Sequence, residues 1–210
     1  MSEHGNPLKV YEESLRTFDR LVHRIRDDQW DASTPCTEWS VRDVVNHLVS
    51  EALWVPHVLA GQTMAAVGDR YDGDVLGDDP VGAWERASAA AHAAWTVPGA
   101  TTWTVHLSFG ETPAVHYCWQ MACDLALHAW DVASGIGAAQ PIPEPVAEVL
   151  VNVTASRLRS VQGSAIIGPG VPVPDDAPAV DRLLGFAGRD PRDGVRPAQE
   201  SSPATRSHTT

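Results

Sequence analysis

The sequence predicts an all-α protein, specifically an antiparallel four-helix bundle with short extra helices and at most a small hairpin. Long segments carry apolar residues at spacings of three and four, as helices do. Capping residues, proline and glycine mark the ends of these segments. Only one short segment shows the alternation of apolar and polar residues that is typical of a strand. The length of 210 residues favours one domain with enough chain for a core. We expect this domain to span residues 1–191 and residues 192–210 to form a disordered tail, because the tail has no apolar period.

The first two helices are predicted from periodicity and capping. Residues 8–28 have an apolar stripe and a charged outer face, which is typical of an amphipathic helix. Ser40 and Asp43 form a capping-box pattern that begins the second helix, which we expect to end near Gly61. His47 lies beside the apolar stripe of this second helix.

The middle of the chain alternates between loops and helices. Residues 62–79 are rich in glycine and aspartate and indicate a loop, after which Asp79 and Pro80 begin an alanine-rich helix. Residues 101–112 predict a short hairpin or an irregular extended segment. Thr112 is predicted to cap the central helix that follows it.

The remaining helices follow from the same signals. The central helix should span residues 113–134 and stop at the glycines of Gly135-Ile-Gly137. Residues 143–160 form the last long helix, and a short helix follows the Gly/Pro-rich segment 161–178.

Two polar residues in the apolar central helix suggest a site. Asp124 and His128 lie four residues apart, so their side chains share one helix face. Burying either one unpaired is costly, and a shared divalent metal would satisfy both. A simple Asp–His hydrogen bond or a solvated polar stripe would explain the pair as well.

His47 supplies a third candidate ligand from another helix. One imidazole from the second helix and the Asp124–His128 pair would give three protein ligands of nitrogen and oxygen type. Such a set leaves coordination positions open, as in catalytic rather than structural sites. Zinc is the first choice, and iron(II), nickel, cobalt or manganese also suit these ligands.

Composition excludes several classes of function. Fifteen basic and 27 acidic residues give a net charge of −12, which argues against binding to nucleic acid or to an anionic membrane. No apolar segment approaches the ~20 residues of a membrane span, and no signal peptide is recognisable, so we expect a cytoplasmic protein, either a monomer or a homodimer. Cys36, Cys118 and Cys123 are interpreted as small buried residues rather than nucleophiles, because no histidine or acid is visibly arranged around them.

Three segments of the sequence resemble a known family. Residues 34–49, TPCTEWSVRDVVNHLV, are similar to the TPCxxWxVRDLxxHLV signature of the mycothiol-dependent maleylpyruvate isomerase metal-binding domain, which belongs to the DinB-like (YfiT-like) helical superfamily. Residues 124–131, DLALHAWD, resemble the acid-x-x-x-His-x-Trp-Asp segment of that family. Residues 183–191, LLGFAGRDP, resemble the end of its short, stand-alone members.

The resemblance implies a divalent metal, usually zinc, held by His47, Asp124 and His128. The family's carboxylate ligand is often Glu, where this chain has Asp. Mycothiol is implied as a cosubstrate, and a metal-bound thiolate would attack a small electrophilic substrate in a transferase or isomerase reaction. Asp131 is a candidate acceptor for an imidazole N–H, although a bond to backbone or to an arginine would explain it equally. As a short member, the chain is not expected to have a counterpart to the isomerase's C-terminal domain.

Two other classes of function stay open at this stage. The chain would be a non-catalytic divalent-metal-binding helical protein if the metal is bound without turnover. It would be a purely structural bundle if the three polar residues only hydrogen-bond to one another.

Overall fold

The computed structural model describes residues 5–161 and 169–194 of the chain. Within them the protein is mostly helical with one two-stranded hairpin, which confirms the predicted all-α class. The elements are α1 (Pro7–Val22), α2 (Val41–Leu59), α3 (Met64–Val67), α4 (Pro80–Trp95), β1 (Thr104–Leu107), β2 (Gly110–Pro113), α5 (Ala114–Gly135), α6 (Glu144–Val161) and α7 (Ala179–Phe186). Residues 195–210, most of the predicted disordered tail, lie outside the described residues.

Four long helices pack in a closed ring. Helix α1 packs along α5 and also contacts α4, while α2 packs along α4 and also contacts α5. Helix α6 is a fifth long helix, and it packs against α5, α1 and the short α7. The ring places α2 and α5, the two helices with the candidate ligands, in direct contact.

The predicted helix starts are correct at two positions and wrong at a third. The Ser40 hydroxyl accepts from the Asp43 amide at 3.2 Å while the Asp43 carboxylate accepts from the Ser40 amide at 2.9 Å, so the capping box is confirmed. The Asp79 side chain accepts from Gly82 N at 3.0 Å as predicted. Thr112 does not cap α5, because it belongs to β2 and its hydroxyl donates to Gly110 O at 3.3 Å.

The connections differ in detail from the sequence prediction. Helix α1 ends at Val22 rather than near residue 28, and a short 3₁₀ turn (Asp27–Gln29) follows it. The loop 62–79 contains the single helical turn α3. The hairpin is real: β1 and β2 pair antiparallel, and Val105 at its centre is fully buried.

The core lies between the helices of the ring and is rich in tryptophan. Trp84, Trp95 and Trp130 are almost completely buried, as expected for residues that line helix seams. The Trp84 indole N–H donates to Asp19 Oδ1 at 3.0 Å, and the ring lies edge-on to Phe18 at 4.8 Å between centroids. None of the helices in the described part combines the length and apolar character needed to cross a membrane.

Candidate metal centre

The three predicted ligands meet where α2 contacts α5. His47 Nε2 on α2 lies 3.1 Å from Asp124 Oδ2 on α5, and His128 Nε2 lies 3.5 Å from Asp124 Oδ1. One ligand atom from each of the three residues lies within 4.8 Å of the other two. The donor atoms are therefore close enough to share one ion.

The three side chains differ in how deeply they are buried. The side chains of His47 and Asp124 each keep 29% of their exposure, whereas His128 keeps only 7%. The two imidazole rings meet edge to face at 5.0 Å between centroids. The site is thus buried at His128 and partly open to solvent at His47 and Asp124.

Trp39, just before α2, covers both imidazoles. Its ring stacks on His128 at 5.7 Å with an interplanar angle of 18°, and it lies 5.1 Å from the His47 ring. The sequence alone did not identify this role of Trp39. The only signal was the position of Trp39 in the segment that resembles the family signature.

Asp131 and Arg189 support His128 from behind. Asp131 is fully buried and its Oδ2 lies 2.8 Å from His128 Nδ1. The Arg189 guanidinium donates to both Asp131 oxygens, at 2.7 and 3.2 Å. Both interpretations that the sequence left open for Asp131 therefore hold at once, since it accepts from an imidazole and from an arginine. Arg189 itself was not singled out from the sequence.

The charges of the site stabilise ionised carboxylates. Burial opposes ionisation of Asp124, but His128, His47 and Arg189 outweigh it and lower the pKa of this carboxyl. Burial also opposes ionisation of Asp131, yet its hydrogen bond with His128 and the charge of Arg189 lower its pKa. Burial favours neutral His47, but the Asp124 carboxylate exceeds this effect and raises the His47 pKa.

The donor set fits a divalent cation. Because ionised Asp131 only accepts hydrogen bonds, the proton of neutral His128 resides on Nδ1. The lone pair of His128 Nε2 then faces Asp124 Oδ1 at 3.5 Å, and two acceptors at this distance repel each other unless a proton or a cation lies between them. With His47 Nε2 directed at the same carboxylate, two imidazoles and one carboxylate form a ligand set that zinc and related metals accept.

Cys36 has a different environment from the one expected. Its thiol sulfur and atoms of His128 and Asp131 all lie within 4.8 Å of one another. The expectation that no cysteine lies beside a histidine and an acid is therefore wrong for Cys36, because the loop before α2 folds onto α5. Burial raises the pKa of this half-buried thiol, and the Asp131 charge raises it further.

Glu51 lies one helical turn beyond His47 and is half-buried. Burial raises the pKa of its carboxyl, the neighbouring Asp124 charge adds to this, and His47 opposes it. The Glu51 carboxyl is thus electrostatically coupled to two of the candidate ligands, Asp124 and His47.

An open cavity of ≈ 510 Å³ leads to the His47 side of the centre. It lies between the loop before α2, the α2 surface and the loop that follows α3. The lining consists of Glu38, Trp39, Asp43, Asn46, His47, Ser50, Tyr71, Asp72 and Gly73. A small molecule can therefore reach His47 from solvent.

Two solved structures of one enzyme have a similar fold. The crystal structure of the mycothiol-dependent maleylpyruvate isomerase superposes with a TM-score of 0.64 at 17% identity, and that of a histidine-to-alanine mutant with a TM-score of 0.65 at 16% identity. Each match covers 94% of this chain and 93% of the isomerase chain. This coverage does not support the expectation that a whole domain of the isomerase lacks a counterpart here.

Sequence comparison finds relatives over nearly the whole chain. Two of them, the uncharacterized proteins MT0763 and Rv0738 of Mycobacterium tuberculosis, are each 29% identical over 191 residues, covering 88% of this chain and 98% of theirs. The mycothiol maleylpyruvate isomerase N-terminal domain matches residues 11–133, which include α2, α5 up to Ala133 and all three candidate ligands. The chain therefore belongs to the mycothiol maleylpyruvate isomerase N-terminal domain family.

Proposed function

We propose that this protein is a metal-dependent enzyme that uses a low-molecular-weight thiol, mycothiol, to act on a small electrophile as a transferase or isomerase. The observation that carries the proposal is the convergence of His47, Asp124 and His128 within 4.8 Å at the end of an open cavity. Membership of a family named for mycothiol, and a fold shared with a mycothiol-dependent isomerase, support the choice of thiol.

His47, Asp124 and His128 would hold the metal, with zinc the first choice. When bound, a divalent cation supplies positive charge that stabilises a thiolate at neutral pH. Asp131 keeps the Nδ1 proton of His128 in place, so that Nε2 stays available as a ligand atom. Trp39 covers one side of the two imidazoles and limits the access of water from that side.

The reaction follows from thiolate chemistry on an activated double bond. The sulfur forms a bond to the electrophilic carbon, and the π electrons of the double bond move onto the conjugated carbonyl oxygen. Protonation at carbon gives a stable thioether, which is the transferase outcome. Rotation about the new single bond, followed by return of the electrons and loss of the thiolate, gives the isomerised substrate.

The first experiment measures metal content. We expect about one metal per chain in protein purified without an affinity tag, and loss of that metal in His47→Ala and in His128→Ala. His116→Ala is the matched control, because His116 lies on α5 but is exposed. Retention of metal in both site variants, or an absence of metal in the wild type, would reject the centre and favour a structural bundle.

The second experiment separates an enzyme from a non-catalytic metal-binding protein. The metal-loaded wild type should convert a model electrophile in the presence of mycothiol, and the His47→Ala and His128→Ala variants should not. If metal is bound but mycothiol produces neither turnover nor a change in melting temperature, the thiol-dependent function is excluded and the metal-binding alternative stands.

A further inference from the structure

The cavity that leads to His47 is bordered by acidic side chains. Glu38, Asp43 and Asp72 all line it. In the part of the chain that the structure describes, the lining includes no lysine or arginine. Any substrate that enters from this side therefore passes three carboxylates before it reaches the centre.

Two arginines close to the site are already bound to other acids. The Arg42 guanidinium donates to Asp74 Oδ2 and to Gly77 O, each at 2.9 Å. Arg189 is engaged with Asp131 behind His128. Neither of these two cations is free to receive the carboxylate of an incoming substrate.

Hydrogen bonds from α2 hold the loop that carries Asp72. The Asn46 side chain donates to Gly73 O at 2.8 Å and accepts from Val75 N at 2.8 Å. These two bonds fix the loop that carries Asp72 against the helix that carries His47. The segment that carries Asp72 is thus anchored to α2 by the residues that follow Asp72.

The negative charge persists when a metal is present. The three cavity carboxylates and Asp124 together outnumber the two positive charges of a divalent cation, and half-buried Glu51 lies beside Asp124. A cleft lined by charges of one sign raises the local concentration of solutes with the opposite charge and lowers that of solutes with the same charge. An anionic substrate is disfavoured here on electrostatic grounds.

We propose that the electrophile of this protein is neutral or cationic, and that Glu38, Asp43 and Asp72 select against anionic electrophiles. This inference rests on the proposed thiol-dependent function. It assigns substrate charge as the property on which the cavity discriminates, with Glu38 and Asp72 as the exposed specificity-determining residues.

Three alkylating agents of similar size test the inference with mycothiol and metal-loaded protein. They are neutral iodoacetamide, anionic iodoacetate and an iodoacetamide that carries a quaternary ammonium group. In each reaction the thiolate sulfur bonds to the methylene carbon and iodide leaves with the electron pair. The catalysed rate is divided by the uncatalysed rate for the same agent, so that intrinsic reactivity cancels.

We expect the normalised kcat/KM to be at least about tenfold lower for iodoacetate than for the other two agents. The Glu38→Gln/Asp72→Asn double variant should reduce this discrimination about tenfold, and higher salt should reduce it in the wild type. The control Glu111→Gln/Asp176→Asn removes two exposed acids outside the cavity and should keep the wild-type discrimination.

The possible outcomes separate the two proposals. Turnover with equal or better use of iodoacetate, unchanged in the double variant, would overturn the inference and leave the thiol-dependent function intact. Absence of turnover with all three agents would overturn both. Equal loss of discrimination in the control and the cavity variants would assign the effect to net charge and overturn the role of Glu38 and Asp72.

Discussion

Replacement of Asp131 by Asn tests the support behind the metal centre. Asp131 has no exposed surface, and Arg189, its partner, keeps only 11% of its side-chain exposure. The substitution keeps the size of the side chain but removes the charge that balances the guanidinium. It also removes the ionised acceptor that holds the Nδ1 proton of His128.

Two magnitudes follow from these contacts. Removal of one partner of a buried ion pair costs about 3–5 kcal/mol, and we expect the lower end because the Asn oxygen still accepts one hydrogen bond. Loss of an outer partner of a metal-binding histidine lowers metal affinity about 10–100-fold. Asp131→Asn should therefore lower both the stability of the metal-free protein and its affinity for metal.

The two effects are measured separately. Urea unfolding of the metal-free protein gives the free energy of unfolding, and competition with a chelator gives the metal affinity. Asp190→Asn is the control, because it removes the charge from a neighbouring pair whose arginine, Arg192, is 83% exposed, and it should leave both quantities nearly unchanged. An unfolding free energy and a metal affinity equal to those of the wild type in Asp131→Asn would refute the reasoning.

Three further substitutions probe the fold away from the centre. His23 Nδ1 donates to Asp19 O at 2.9 Å and its Nε2 donates to Glu85 Oε1 at 3.0 Å, and these contacts raise the His23 pKa. The stabilising effect of His23 is therefore complete below the ordinary pKa of 6.5 and is lost as pH rises through the raised pKa. The difference in urea midpoint between wild type and His23→Gln should therefore be larger at pH 5.5 than at pH 8.5, and a difference that grows with pH would contradict this. Trp84→Phe removes a fully buried indole and its bond to Asp19, and should cost about 1.5–3 kcal/mol in urea unfolding; an unchanged midpoint would show that the contact contributes nothing. Gly185→Ala would bring a Cβ to 2.6 Å from Val173 Cγ2 and 2.7 Å from Val171 O. We therefore expect the free energy of unfolding, measured with urea, to fall by about 1–2 kcal/mol, although alanine has the better helix propensity. A gain in stability would refute the packing argument.

The helices were predictable because their signals are local. Apolar spacing and short capping patterns depend on residues three or four positions apart, and both the Ser40 and the Asp79 starts were correct. The Thr112 start was not, because a threonine before proline has the same local pattern in a strand as at a cap. Only its pairing with Val105 across the hairpin decides between them.

The candidate site was predictable only in part. Asp124 and His128 share a helix face by spacing alone. His47 was added as an imidazole beside the apolar stripe of the second helix, and the resemblance to a family implied the same three ligands. Cys36, Trp39 and Arg189 reach the site through a loop and through the last described segment of the chain, which returns to Asp131 from 58 residues away. No local sequence pattern predicts such a long-range contact, so the place of these residues in the site could be recognised only from the structure. The metal itself stays a prediction.

The separation of the ligands along the chain has a consequence for the order of assembly. His47 and Asp124 are 77 residues apart in sequence and 3.1 Å apart in space. Bringing the two residues together closes a loop of 77 residues, and the entropic cost of this closure opposes the contact until α2 and α5 pack against each other. A cation that needs ligands from both helices can be bound only after the helices have packed together. The rate of metal uptake during refolding would therefore report the rate of that packing step.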